Sequence, residues 1–203
     1  ETDRDGRILR FLEKPNPDDV AKIKVNTINA GIYVLEPSII DLIPVGENRS
    51  FEYDVFPEIK RREMPFFAYI MESEYWRDVG TPASYLAAHH DFLDRSIRGF
   101  ELERSQPSEI APAAVLDDRS VIGAGCVIKP GARIMRSVLG PGVYVEEKAV
   151  IENSVIWAHT RVATSAEISD AVIGRNCHIG RNVKVSGGAV LGDKTALTDY
   201  TRV

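Results

Sequence analysis

The residue whose type and setting most suggest chemistry is Asp78, in the stretch "YWRDVGTPASY" at 75–85. It stands at the expected end of a strand, between an aromatic-basic pair and a Gly-Thr-Pro turn. Capping the next helix is one task for it, but Thr81 directly before Pro82 is the better cap, with Pro at the first helical position. Two readings stay open. Asp78 satisfies the local backbone, or it serves a metal ion or substrate hydroxyl, as carboxylates at strand ends can.

The elements that must position this residue fall into two regions. Residues 1 to about 100 read as mixed α/β. Ile8–Leu12, Ile28–Leu35 and Phe66–Met71 are short β-rich runs bounded by turn residues. Pro82 to Arg98 reads as a helix, because Leu86, His90, Leu93 and Ile97 recur at helical spacing and Gly99 stands where a C-terminal cap belongs. The stretch "ELERSQPSEIAP" at 101–112 reads as a linker. Three strands and a helix or two make only part of an α/β domain. The chain also starts "ETDRDGRILRF", without a methionine, and the expectation is a piece of something longer.

From residue 113 the pattern changes. "SVIG" at 120, "SVLG" at 137, "SVIW" at 154 and "AVIG" at 171 recur every 17 residues, and "AVLG" at 189 comes one residue late. Apolar anchors about six residues apart run from Leu116 to Leu197, each followed four residues later by a small or β-branched residue such as Ala132, Ala149, Thr160, Ala166 or Val183. A hexad of this kind makes one short flat strand and a corner. Three hexads close a coil, and stacked coils share one core. Cys126 and Cys177 both occupy the small inward position, three coils apart. At about 4.8 Å per coil they lie roughly 14 Å from each other, beyond disulfide reach. They are expected to fill core space.

Composition excludes some functions. With 25 basic and 30 acidic side chains and a net charge of −5, the chain offers no basic stripe for a nucleic-acid backbone. It contains no uninterrupted apolar run long enough to span a bilayer and no secretory signal, so no membrane partner and a cytoplasmic location are expected.

The coil resembles the hexapeptide-repeat, left-handed parallel β-helix family, and its handedness comes from that resemblance alone. The motifs "FLEKP" at 11–15, "NAGIYVLEP" at 29–37, "FEYDVFP" at 51–57 and "WRDVGTPASY" at 76–85, followed by the coil, resemble the sugar-nucleotide pyrophosphorylases. Among these the texture is most similar to mannose-1-phosphate guanylyltransferases. The resemblance implies an α/β region, the C-terminal half of a Rossmann-like nucleotidyltransferase domain (1–100), then a linker (101–112) and an all-β left-handed β-helix (113–203). It implies that a sugar-1-phosphate and a nucleoside triphosphate are joined with loss of pyrophosphate. GDP-mannose is the favoured product, with a glucose-1-phosphate thymidylyl- or uridylyltransferase as alternative. Lys14 is then the cation on the sugar phosphate and Glu13 the acceptor for sugar hydroxyls. Asn29, Ala30 and Gly31 form a strand edge that approaches the sugar, and Asp78 is one carboxylate of a Mg²⁺ site. Glu52 and Asp54 orient structure, and Trp76 packs. The family's glycine-rich nucleotide loop and second aspartate do not occur here, which implies that this chain is the sugar-binding half and inactive alone.

Two rivals belong to other classes. Many hexapeptide coils are acyltransferases with a histidine base, and His159 and His178 lie on the coil, though without the looped-out insertion such sites use. Other relatives are non-catalytic regulatory subunits, against which the joint presence of Glu13, Lys14 and Asp78 argues. The coil's flat faces and open ends suggest a homo-oligomer.

Overall fold

A computed structural model describes residues 1–12, 18, 27–97 and 107–203. It forms two compact units, Glu1–Trp76 and Arg77–Val203.

In the first unit the core gathers around Phe56, which is 1% exposed. Phe11, Tyr33 and Phe66 place their rings 5.0 to 5.2 Å from it, and Phe51 lies 5.8 Å away. Such edge and tilted contacts suit aromatic quadrupoles and bury much apolar area. Phe56 opens helix α1 (Phe56–Arg61), which continues directly from a π-type turn over Phe51–Val55. Ser50 starts that turn, its hydroxyl accepting from the amides of Glu52 and Tyr53.

The expected strands are mostly absent among the described residues. Ile8–Leu12 and Phe66–Met71 meet only where Arg7 bridges Phe67 in antiparallel fashion, and Ile8 N–H donates to the Phe66 carbonyl at 2.9 Å. Ile28–Leu35 turns at Asn29–Gly31 and joins no ladder with the described residues. A strand requires a partner strand for its amides, and no described strand pairs with this run. Its outward side chains stay in solvent, with Ile28 71% and Ile32 72% exposed.

The second unit is a parallel β-solenoid. Sixteen two- or three-residue strands, from Glu109–Ile110 to Ala196–Leu197, stack into three parallel sheets of six, five and five strands. Register follows the sequence repeat. Ile134 pairs with Ile151, and Ile151 with Ile168. Every anchor from Ile122 to Val185 is buried, while Leu116, Leu191 and Leu197 pack half-buried against the same core. Ala132, Ala149, Thr160, Ala166 and Val183 are fully buried between them, as are Cys126 and Cys177, both as free thiols. Pairing begins at Glu109, inside the stretch read as linker.

The late fifth repeat has a local cause. The extra residue lies at Gly187–Gly188, both at positive φ (+69° and +83°), where a side chain would be strained. The glycine that closes the repeat has a steric one. A Cβ on Gly140 would sit 2.8 Å from the Ala158 nitrogen in the next coil.

The serines of "SVIG", "SVLG" and "SVIW" are buried too. The Ser120 hydroxyl accepts from Ser137 N–H, Ser137 from Ser154 N–H (3.0 Å), and Ser154 from Ala171 N–H (3.1 Å). This column satisfies amides that would otherwise be buried without partners.

Helix α2 (Pro82–Leu93) belongs to this unit. One sheet turns only valines outward: Val121, Val138, Val155, Val172 and Val190. The helix lies by the middle of that stripe. His90 Nε2 reaches the Asn153 carbonyl at 3.2 Å, and the Trp157 indole donates to the Tyr85 hydroxyl at 3.2 Å, on either side of Val155. Val155 is consequently 4% exposed although it points out of the coil. Arg136 and Arg119 of the coil pair with Asp94 at the helix end. The Arg136 hydrogen bond holds the Asp94 carboxyl below its usual range.

The helix ends earlier than the expected Arg98–Gly99. Asp94 is the cap, Arg95 turns left-handed (φ 57°), and the Ser96 and Arg95 amides return to the Asp91 and Phe92 carbonyls. That is a Schellman closure with arginine where glycine is usual. Asp94, held by two arginines of the coil, fixes the stop.

Candidate functional site

Asn29, Ala30 and Gly31 form a turn, not the expected strand edge. The Asn29 side-chain oxygen accepts from Gly31 N–H at 3.0 Å, which folds the backbone back on itself. Gly31 takes φ +70°, a conformation that disfavours any side chain, and a Cβ there would meet nothing within 4 Å. Glycine is required by the backbone angle, and no described residue occupies the space before it. Trp76 anchors the turn from outside, its indole N–H donating to the Ala30 carbonyl at 3.1 Å.

Behind the turn lies a continuous polar chain. Asn29 Nδ2 donates to the Tyr33 hydroxyl at 2.7 Å, and Tyr33 donates to Glu52 Oε1 at 2.9 Å. Ser50 Oγ donates to Glu52 Oε2 at 2.8 Å. Asp54 accepts from Ser50 N–H at 2.8 Å and faces Arg49 at 3.6 Å. Glu52 and Asp54 thus orient structure, as their motif implied. The link from Glu52 to Asn29 through Tyr33 was not legible in the sequence, where 19 residues separate Tyr33 from Glu52.

Asp78 lies in the second unit, exposed. Thr81 caps helix α2 with Ser84 in a reciprocal capping box. Asp78 takes no part, and no hydrogen bond or ion pair to a described residue occupies its carboxylate. The neighbouring Arg77, to which the sequence assigned no role, pairs with Asp91 of the helix at 2.6 Å. Glu13 and Lys14 lie outside the described residues. No group of three or more His, Cys, Asp or Glu side chains able to hold a metal occurs among the described residues. Among the described residues Asp78 therefore belongs to no ready-made metal cluster.

His159 sits on a coil corner at φ 58°, and His178 lies in a strand facing outward. Both are exposed. Among the described residues, no helix is long and apolar enough to cross a membrane.

Comparison with known proteins gives two matched regions, whose limits differ from the compact units. Residues 1–95 match the nucleotidyl transferase family model. Residues 103–203 match the model described as EIF2B subunit epsilon LbH domain. The mannose-1-phosphate guanylyltransferase of Mycobacterium tuberculosis is 34% identical over 141 residues, 66% of this chain and 38% of the relative. A probable mannose-1-phosphate guanylyltransferase 2 of Arabidopsis thaliana is 35% identical over 62% of this chain and 32% of its own length. The UTP--glucose-1-phosphate uridylyltransferase of Synechocystis is 37% identical over 50% of this chain and 25% of its own. The chain thus spans between a quarter and two-fifths of the length of these relatives. Over its first 95 residues it matches the nucleotidyl transferase family model, and a parallel β-solenoid follows.

Proposed function

We propose that these residues are the sugar-phosphate-binding part and the coil of an enzyme that makes an NDP-sugar from a sugar-1-phosphate and a nucleoside triphosphate. The observation that carries this reading is the Asn29–Ala30–Gly31 turn, held rigid from behind and open in front. The favoured reaction is GDP-mannose from mannose-1-phosphate and GTP, supported by the guanylyltransferase relatives. Glucose-1-phosphate with UTP or dTTP is the runner-up, supported by the Synechocystis relative.

Transfer of a nucleotidyl group asks a protein mainly to position two anions and neutralise charge. Asn29, Ala30 and Gly31 would bind sugar hydroxyls and Glu13 would accept from them, while Lys14 would hold the sugar phosphate. Asp78, with a carboxylate unoccupied by other described residues, would be one ligand for Mg²⁺, which offsets phosphate repulsion when bound. A glycine-rich phosphate loop does not occur in these 203 residues, and we assign nucleotide contacts to sequence outside them. The 203 residues by themselves are expected to be inactive.

The test is pyrophosphate release by the full-length protein across a panel of sugar-1-phosphates and nucleoside triphosphates. Turnover greatest with mannose-1-phosphate and GTP supports the reading, and indifference to mannose-1-phosphate overturns the preference. A second reading, a non-catalytic regulatory homologue, is favoured by the coil's match to an EIF2B epsilon domain. No turnover with any pair would favour it.

A further inference from the structure

Resting on that reading of the turn, we propose that Tyr33 and Glu52 are positioning residues that dictate which face the Asn29 amide shows to a sugar hydroxyl. An asparagine amide is nearly symmetric in shape, and rotating it by half a turn exchanges a donor for an acceptor. A site that distinguishes hydroxyl orientations needs that rotation stopped.

The stop originates at Glu52. An ionised carboxylate only accepts hydrogen bonds. Its two oxygens are met by Ser50 Oγ at 2.8 Å and the Tyr33 hydroxyl at 2.9 Å. Ser50 is committed to donating there, since its oxygen already accepts from Glu52 N–H and Tyr53 N–H, both at 3.2 Å. Tyr33, having spent its one proton on Glu52, can only accept from Asn29. Asn29 must then present Nδ2 to Tyr33 at 2.7 Å, which turns Oδ1 to Gly31 N–H at 3.0 Å. The direction of every bond follows from the charge on Glu52, and such chains strengthen one another in a partly buried setting. The amide's other N–H and other lone pair have no hydrogen-bond partner among the described residues, and Asn29 is exposed. That adjacent donor and acceptor match two neighbouring hydroxyls of a hexose, one accepting and one donating.

Tyr33→Phe keeps the ring in its contacts with Phe51 and Phe56 and removes only the relay. Glu52→Gln keeps the size and removes the charge that sets direction. In the full-length protein, each is expected to weaken mannose-1-phosphate binding by calorimetry about tenfold, with the KM for GTP unchanged. The double variant N29A/Y33F should bind no more weakly than N29A alone, because the proposed relay from Tyr33 reaches the sugar through the Asn29 amide. Wild-type-like binding in both Y33F and E52Q overturns the inference, as does full additivity of N29A and Y33F. If those results appear in an enzyme that turns over, only the inference falls. If the wild-type protein binds neither mannose-1-phosphate nor glucose-1-phosphate, the reading of the turn falls with it.

Discussion

Asp78 is an exposed carboxylate whose structural alternative has been taken. Thr81 and Ser84 make the helix cap between themselves, so the cap does not depend on Asp78. We expect Asp78→Asn in the full-length enzyme to leave the melting temperature unchanged and to slow turnover at least ~10²-fold, the scale of one strong electrostatic contact. Near-normal turnover would make Asp78 an ordinary surface residue. Ser137 makes the opposite case, a residue of structure alone. Its hydroxyl receives a fully buried amide, and Ser137→Ala leaves that amide without a partner. A loss of about 1–3 kcal/mol in denaturant unfolding is expected, with turnover by the remaining folded enzyme unchanged. At this scale the sequence was partly legible. Thr81 announced its capping role because threonine before proline has few other uses. Ser120, Ser137 and Ser154 did not, since a small polar residue beside a repeat looks like any corner until its coil neighbours are known. Arg95 gave no sign, because a left-handed arginine is forced by tertiary contacts and carries no propensity.

At the scale of elements, the solenoid was readable almost residue by residue, because its inward positions repeat at an interval that backbone geometry imposes. Helix α2 was readable at its start and not at its end. Its last turn is set by Asp94 meeting Arg136 and Arg119, pairs distant in sequence. In the first unit the expected strands pair little among the described residues, since β-propensity in Ile28–Leu35 reports a half-buried pleated surface and does not name the partner that would create one. Two tests belong here. Phe56→Ala removes the ring on which four others converge and should cost about 3–5 kcal/mol in the first unit, read by denaturant unfolding. The docking of helix α2 should depend on pH through His90. Burial, and then nearby Arg136, lower its pKa from the usual 6.5, against the Asn153 carbonyl, Asp94 and Asp170, which favour the cation. The folded state therefore prefers neutral imidazole. That contribution is complete above 6.5 and is lost as pH falls through the lowered value. Amides of Pro82–Leu93, corrected for intrinsic rates, should exchange faster at about pH 5 than at about pH 7.5. His90→Gln should flatten the difference, and equal protection at both values would contradict it.

At the scale of the whole molecule, sequence grammar proposes a division between Gly99 and Pro112, whereas compactness groups the chain after Trp76. Limited proteolysis separates the two. First cutting in "ELERSQPSEIAP" supports the grammar, and first cutting near Arg77 supports a body in which helix α2 stays with the coil. Assembly is a further proposal. A solenoid presents flat faces that a second copy can cover, and light scattering at micromolar concentration should give more than one chain's mass.

The serine column has a dynamic consequence. It couples each coil to the next from Ser120 to Ala171 and then stops, because Ala171 has no hydroxyl to offer. The Ala189 amide turns instead to the Ser186 carbonyl, at 3.3 Å within its own corner. A stack whose neighbours are joined unevenly does not melt as a block. It behaves as a one-dimensional chain of coupled spins with one weakened link. The coils up to Ala171 should open together, and those beyond should fray ahead of them. In exchange experiments this would appear as two cooperative classes of amide along an otherwise uniform repeat.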